Sequence, residues 1–92
     1  MWFATALLFF IQADATSEGM KALESGNYQA AVDAFRKVIA GDPKDYFAHF
    51  NLAMAHTLLH QDADAVNEYR RTLELKPGLY EAELNCGIVL LR

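Results

Sequence analysis

Apolar residues in this chain follow two rhythms. From Met1 to Ile11 they are almost uninterrupted, and beyond Gln12 they recur at the spacing of one helix face. Ala31, Phe35 and Val38 stand at i, i+4 and i+7, and Ala65, Tyr69 and Thr72 repeat that stripe. A small residue followed one turn later by an aromatic lets two helices approach closely and fills the wider gap beyond. Asp42-Pro43 and Lys76-Pro77 disfavour helical geometry at the residue before each proline and open the next segment. The pattern predicts helices over Ala13–Ser25, Tyr28–Ala40, Asp45–Leu59, Ala63–Leu75 and Leu79–Leu91.

Shifting the sequence by 34 residues aligns Ala31 with Ala65, Val32 with Val66, Phe35 with Tyr69, Arg36 with Arg70, Lys37 with Arg71 and Pro43 with Pro77. The register continues through Tyr46 and Tyr80, Ala48 and Ala82, and Asn51 and Asn85, while the small residues Gly19, Ala53 and Gly87 share one phase. Such a period marks a helix-turn-helix repeat whose units shield one another's apolar stripes.

From about Gln12 onward the chain resembles the tetratricopeptide repeat. Gly19, Gly26, Tyr28, Ala31, Phe35 and Pro43 carry the likeness in the first unit, and Leu52, Ala53, Ala65, Tyr69 and Pro77 carry it in the second. The pattern departs at Glu18, where leucine is usual, and at His60, where the glycine between helices is usual. It departs again at Ala15, His49 and Glu83, where tryptophan is common. The resemblance implies an all-α fold, a short right-handed α-solenoid of about two and a half antiparallel helix pairs. Its units run at about 12–45 and 46–79, with a partial one at 80–92. The domain division expected is an apolar or signal-peptide-like segment at 1–15 and the repeat domain at 16–92.

In this family the first helix of each unit lines a concave groove that holds a protein or peptide. The corresponding positions are Met20 and Leu23, then Phe47, Phe50, Asn51 and Met54, then Leu84, Asn85 and Ile88. A groove this apolar suits an amphipathic helix or an extended apolar peptide, with Asn51 and Asn85 available to hold its backbone. One variant of the family grips a chaperone's terminal carboxylate with lysines, an arginine and asparagines. Of those five positions only Asn51 matches, since Thr16, Met20, Glu81 and Asn85 fill the rest. Without cationic donors, binding to acidic C-terminal tails is not expected.

The formal charge of -4 supplies no net field for phosphates, and nucleic acid is not expected as a partner. The residues Arg36, Lys37, Arg70 and Arg71 recur in phase and read as a solvated face, with Asp33 one turn before Lys37 to pair with it. His56 and His60 lie at i, i+4 but no third ligand converges with them, so no metal or other cofactor is expected. The single thiol, Cys86, reads as a packing residue. No nucleophile or carboxylate pair has a catalytic setting, and the chain reads as a binding scaffold rather than an enzyme.

The run Met1–Ile11 followed by Ala13-Asp14-Ala15 outlines a secretory signal peptide, although no Lys or Arg precedes its apolar core. It is shorter than the about 18 to 20 apolar residues that span a bilayer. A periplasmic or secreted location is expected; a membrane-associated assembly factor held by residues 1–12, a cytoplasmic protein, and the interaction part of a larger polypeptide are the alternatives. The last helix ends in Gly87-Ile88-Val89-Leu90-Leu91, a poor polar cap, so the chain is expected to be a fragment of a longer array, with self-association through that helix or a covering partner as the alternatives.

Overall fold

A computed structural model describes residues 14–92. The signal-peptide reading of the first residues lies outside them, apart from Asp14 and Ala15. Five helices follow one another: α1 over 14–24, α2 over Tyr28–Gly41, α3 over Tyr46–Leu58, α4 over Asp62–Leu75 and α5 over Tyr80–Leu90. Consecutive helices pack as α2 on α3, α3 on α4 and α4 on α5, the order of a helical repeat solenoid. Among the described residues no strand occurs, and no helix is long and apolar enough to cross a membrane.

Local chemistry fixes the ends. The Asn27 and Asp45 side chains accept from the backbone N–H groups of Ala30 and Ala48, at 3.3 and 3.1 Å, and so cap α2 and α3. The α4 and α5 starts lack a side-chain cap but carry Asp62, Asp64, Glu81 and Glu83 in their first turns, where the helix dipole favours acids. Asp42 and Lys76, each before a proline, leave helical geometry with φ of -142° and -134°.

Two apolar clusters hold the units together, and α3 contributes to both. Ala48, Leu52 and Ala55 join Ala15, Ala31, Val32, Phe35 and Val38 in the first cluster. Ala53 joins Ala65, Val66, Tyr69, Ala82, Cys86 and Val89 in the second. The small residue of the first unit has a direct purpose, because a Cβ on Gly19 would lie 2.6 Å from Cζ of the Phe35 ring. Ala15 is buried with them, so packing on the repeat begins within the small-x-small triplet.

The departures from the repeat pattern find physical reasons. Glu18 is exposed, on a face of α1 that no helix covers among the described residues. His49 and His56 are buried and hydrogen-bonded, His49 to Glu68 and to the Pro43 carbonyl, His56 through Nδ1 to Gln61 Oε1 at 2.6 Å. His60 takes φ 58°, the left-handed conformation that Gly26 takes at the same phase with φ 79°. A side chain there costs about 1 to 2 kcal/mol, partly offset because glycine loses more chain entropy on folding. His60→Gly is therefore expected to stabilise by about 0.5 to 1 kcal/mol in urea unfolding, and a loss of stability would contradict this.

The Asp33–Lys37 pairing expected from the sequence does not form: Asp33 accepts from Gln29 Nε2 at 3.3 Å, one turn earlier on α2, and Lys37 is exposed. Arg71 instead donates to Glu74 at 2.9 Å. At the far end Arg92 reaches back across the last turn, donating from Nε to both Asp62 oxygens at 3.1 and 3.2 Å and from Nη2 to the Thr57 carbonyl at 2.8 Å. These hydrogen bonds hold the Asp62 carboxyl below its ordinary range.

Candidate partner-binding face

The first helix of each unit presents an in-register set of side chains on one face, because residues 34 apart occupy the same position in successive helix pairs. Met20, Met54 and Ile88 share one phase, and Phe50 and Leu84 share another. Phe47, Leu84 and Ile88 are 43, 47 and 53% exposed, large apolar surfaces that the fold itself leaves in water. Met20, Leu23, Phe50 and Met54 are half-buried at the floor, Met20 and Leu23 against the first cluster and Phe50 against the second.

The floor is ordered by specific contacts. The Phe50 ring meets Tyr69 edge-on with centroids 6.0 Å apart, tying the face to the core. The Tyr69 hydroxyl lies 3.1 Å from Thr57 Oγ1, which itself donates to the Ala53 carbonyl at 2.8 Å. Burial raises the Tyr69 pKa above its ordinary value, against the opposing effect of side-chain hydrogen bonding with Thr57 and Asn85. The phenol therefore stays neutral and links α4 to Thr57 of α3.

Of the two asparagines, Asn51 is buried and its Nδ2 donates to the Phe47 carbonyl at 2.8 Å within its own helix. Asn85 is half-buried and its Nδ2 points to Met54 Sδ at 3.4 Å, joining α5 to α3 across the face. Both amides are engaged in the free molecule, and a weak sulfur acceptor at Asn85 is the easier one for an incoming carbonyl to replace. The face carries no lysine or arginine at the positions named, and Glu81 is its exposed charge.

Among the described residues no cluster of His, Cys, Asp and Glu is arranged to hold a metal ion. Sequence reasoning did not single out Tyr46, whose ring lies 5.7 Å below the Lys76 ammonium at the edge of the second unit. Its recurrence as Tyr80, 69% exposed, was the available signal.

Comparison with known proteins gives the architecture its place. The family model described as tetratricopeptide repeat matches residues 22–85. This chain belongs to the tetratricopeptide repeat family. It is 30% identical over 74 residues to DnaJ homolog subfamily C member 3 of Rattus norvegicus, covering 80% of this chain and 15% of that protein. It is 31% identical over 64 residues to Hsp70-Hsp90 organizing protein 2 of Arabidopsis thaliana, covering 70% of this chain and 11% of that one. The chain thus spans about a seventh or less of the curated relatives it matches. Among solved structures, the TPR2B domain of yeast Sti1, in complex with pHsp70, superposes with a TM-score of 0.85 at 21% identity, over 89% of this chain and 66% of that chain. The tetratricopeptide repeat is a protein-interaction fold, and this chain is a protein-interaction module.

Proposed function

We propose that the module acts as a non-catalytic scaffold that holds an apolar helix or extended segment of a partner protein on the inner face of α1, α3 and α5. The observation that carries this reading is the exposure of Phe47, Leu84 and Ile88 beside the half-buried Met20, Phe50 and Met54 on one face. An exposed apolar set of this size on a folded domain marks an interaction surface. An amphipathic partner would lay its apolar stripe on it and exchange one backbone carbonyl for Met54 Sδ at Asn85.

The yeast neighbour was solved with pHsp70, and the plant relative is named for Hsp70 and Hsp90. Thr16, Met20, Glu81 and Asn85 give this face no cation for a terminal carboxylate, which supports a partner segment that is apolar rather than acidic. The experiment is affinity capture with the wild type beside a Phe47→Ala/Ile88→Ala variant. Both side chains stand at the surface, whereas Phe50 also supports Tyr69, so the variant should keep its fold. Partners held by the inner face are expected to be lost from the variant by at least about tenfold, a ~1.4 kcal/mol effect. Identical capture lists, or a micromolar complex with a free acidic C-terminal peptide, would count against the proposal.

A further inference from the structure

The apolar inner face is edged by charge of one sign. Glu24, exposed, stands one turn beyond Met20 at the end of α1, and Glu81, exposed, stands in the first turn of α5 at the phase that carries Phe47 in α3. Helix α3 touches α1 through the first apolar cluster and α5 through Asn85 and Met54, and from Tyr46 to Leu58 it has no Asp, Glu, Lys or Arg. An apolar strip thus separates two acids.

No cation of the chain answers either acid. Among the described residues the ion pairs are His49–Glu68, Arg71–Glu74 and Arg92–Asp62, and Lys76 lies over the Tyr46 ring. Lys21 shares the phase of Ala55, which packs in the first cluster, Lys44 is on the turn before α3, and Arg36, Lys37 and Arg70 are on the second helices.

Glu24 is also placed against its own helix. It is the last residue of α1, where free carbonyls and the negative end of the helix dipole repel an acid and would hold a cation. At the same phase α3 ends in Leu58, 43% exposed, and its last turn offers no Lys or Arg. Glu81 stands in a first turn, where the dipole already favours an acid.

The spacing of the two acids sets a length. Alternate helices run parallel, and the phases of Glu81 and Glu24 differ by about 11 residues, roughly 16 Å at the helical rise. Helices α1 and α5 are two helix spacings apart, on the order of 16 to 20 Å. The diagonal between the acids is about 25 Å, the length of about 16 helical residues.

We propose, on the basis of the inner-face reading, that the segment held there is a cationic amphipathic helix of a partner protein, with an apolar stripe between Lys or Arg residues about 16 positions apart that meet Glu24 and Glu81. The cation at Glu24 meets the carbonyl end of α1 as well, so it supplies the larger share of the charge preference.

The probes are three fluorescein-labelled, acetylated and amidated peptides of about 16 residues, alike in one Leu stripe at helical spacing and bearing Lys, Gln or Glu at both ends. Each is titrated into the full 92-residue chain and followed by anisotropy. The Lys peptide is expected to saturate the chain at low salt with about three- to tenfold higher affinity than the Gln peptide, the Glu peptide binding weakest and the differences narrowing as salt is raised. Glu24→Gln/Glu81→Gln should remove the preference and leave binding of the Gln peptide unchanged, and Glu24→Gln alone should remove more of it than Glu81→Gln alone. Glu24→Gln should keep the melting temperature unchanged or raise it, because an acid leaves the end of α1. Asp14→Asn/Glu18→Gln makes the same change in net charge at other exposed positions of α1, and should preserve the preference within about twofold. Equal binding of the Lys and Gln peptides, both weakened by Phe47→Ala/Ile88→Ala, would overturn the cationic assignment and leave the inner-face reading standing. A Lys preference that survives Glu24→Gln/Glu81→Gln, or that Asp14→Asn/Glu18→Gln abolishes equally, would overturn the assignment too. Failure of all three peptides to saturate at about millimolar concentration, or binding indifferent to Phe47→Ala/Ile88→Ala, would overturn both readings together.

Discussion

Phe35→Ala is expected to remove about 3 to 5 kcal/mol of stability, the range for truncating a fully buried aromatic. Phe35 has no solvent exposure and sits among Ala15, Ala31, Val32, Val38, Ala48 and Leu52, contributed by α1, α2 and α3. Its ring also lies directly on Gly19, so the vacated space cannot be refilled by a shift of α1 without moving the helix backbone. A domain of this size is stable by about 5 to 10 kcal/mol, so the variant stands close to its unfolding midpoint at room temperature. Because such arrays couple mainly between neighbours, hydrogen exchange should show α1 and α2 losing protection well before α4 and α5. Urea unfolding followed by circular dichroism measures the loss, and a value under about 0.5 kcal/mol would place Phe35 at a surface it does not occupy here.

The legible part of this molecule is the part that depends on period. Proline sites, the small-to-aromatic spacing and the 34-residue register placed α2 to α5 within one residue of their observed ends, since each signal acts within a turn or two of chain. The inner-face positions came from the resemblance to the repeat family, and their burial did not follow from it. Asn51 and Phe50 share a helix with Phe47, yet Asn51 turns its amide to its own backbone and Phe50 leans on Tyr69. The second depends on how α4 sits on α3, which no single stripe of residues encodes.

Contacts across units were the least legible. Arg92 and Asp62 are 30 residues apart and not related by the repeat, so nothing in the self-comparison pairs them. Glu18 read as an anomaly in sequence, because a leucine is usual there, and becomes intelligible once it is seen exposed on α1 together with Asp14 and Lys21. His60 is the reverse case. The missing glycine was visible, while the fact that histidine adopts the glycine-like backbone needed the structure.

His49→Ala is expected to cost about 2 to 4 kcal/mol, out of proportion to the atoms removed. The buried ring lies between two oxygens, Nδ1 at 2.6 Å from Glu68 Oε2 on α4 and Nε2 at 2.8 Å from the Pro43 carbonyl at the turn into α3. A carbonyl only accepts, so Nε2 donates to Pro43, and Nδ1 joins the ring to the Glu68 carboxyl. Deleting it strands two polar partners, the Pro43 carbonyl and the half-buried Glu68 carboxyl, and leaves a cavity beside them. In the first unit the same two positions hold Ala15 and Ala34, both buried and needing no polar partner. The double variant His49→Ala/Glu68→Ala reproduces that pairing, and should lose less stability than the two single losses combined, by at least about 1 kcal/mol. Thermal and urea unfolding of the four proteins close the cycle. Simple additivity would mean that the cost of His49→Ala is cavity alone, with no hydrogen-bonding group left unpartnered at Glu68.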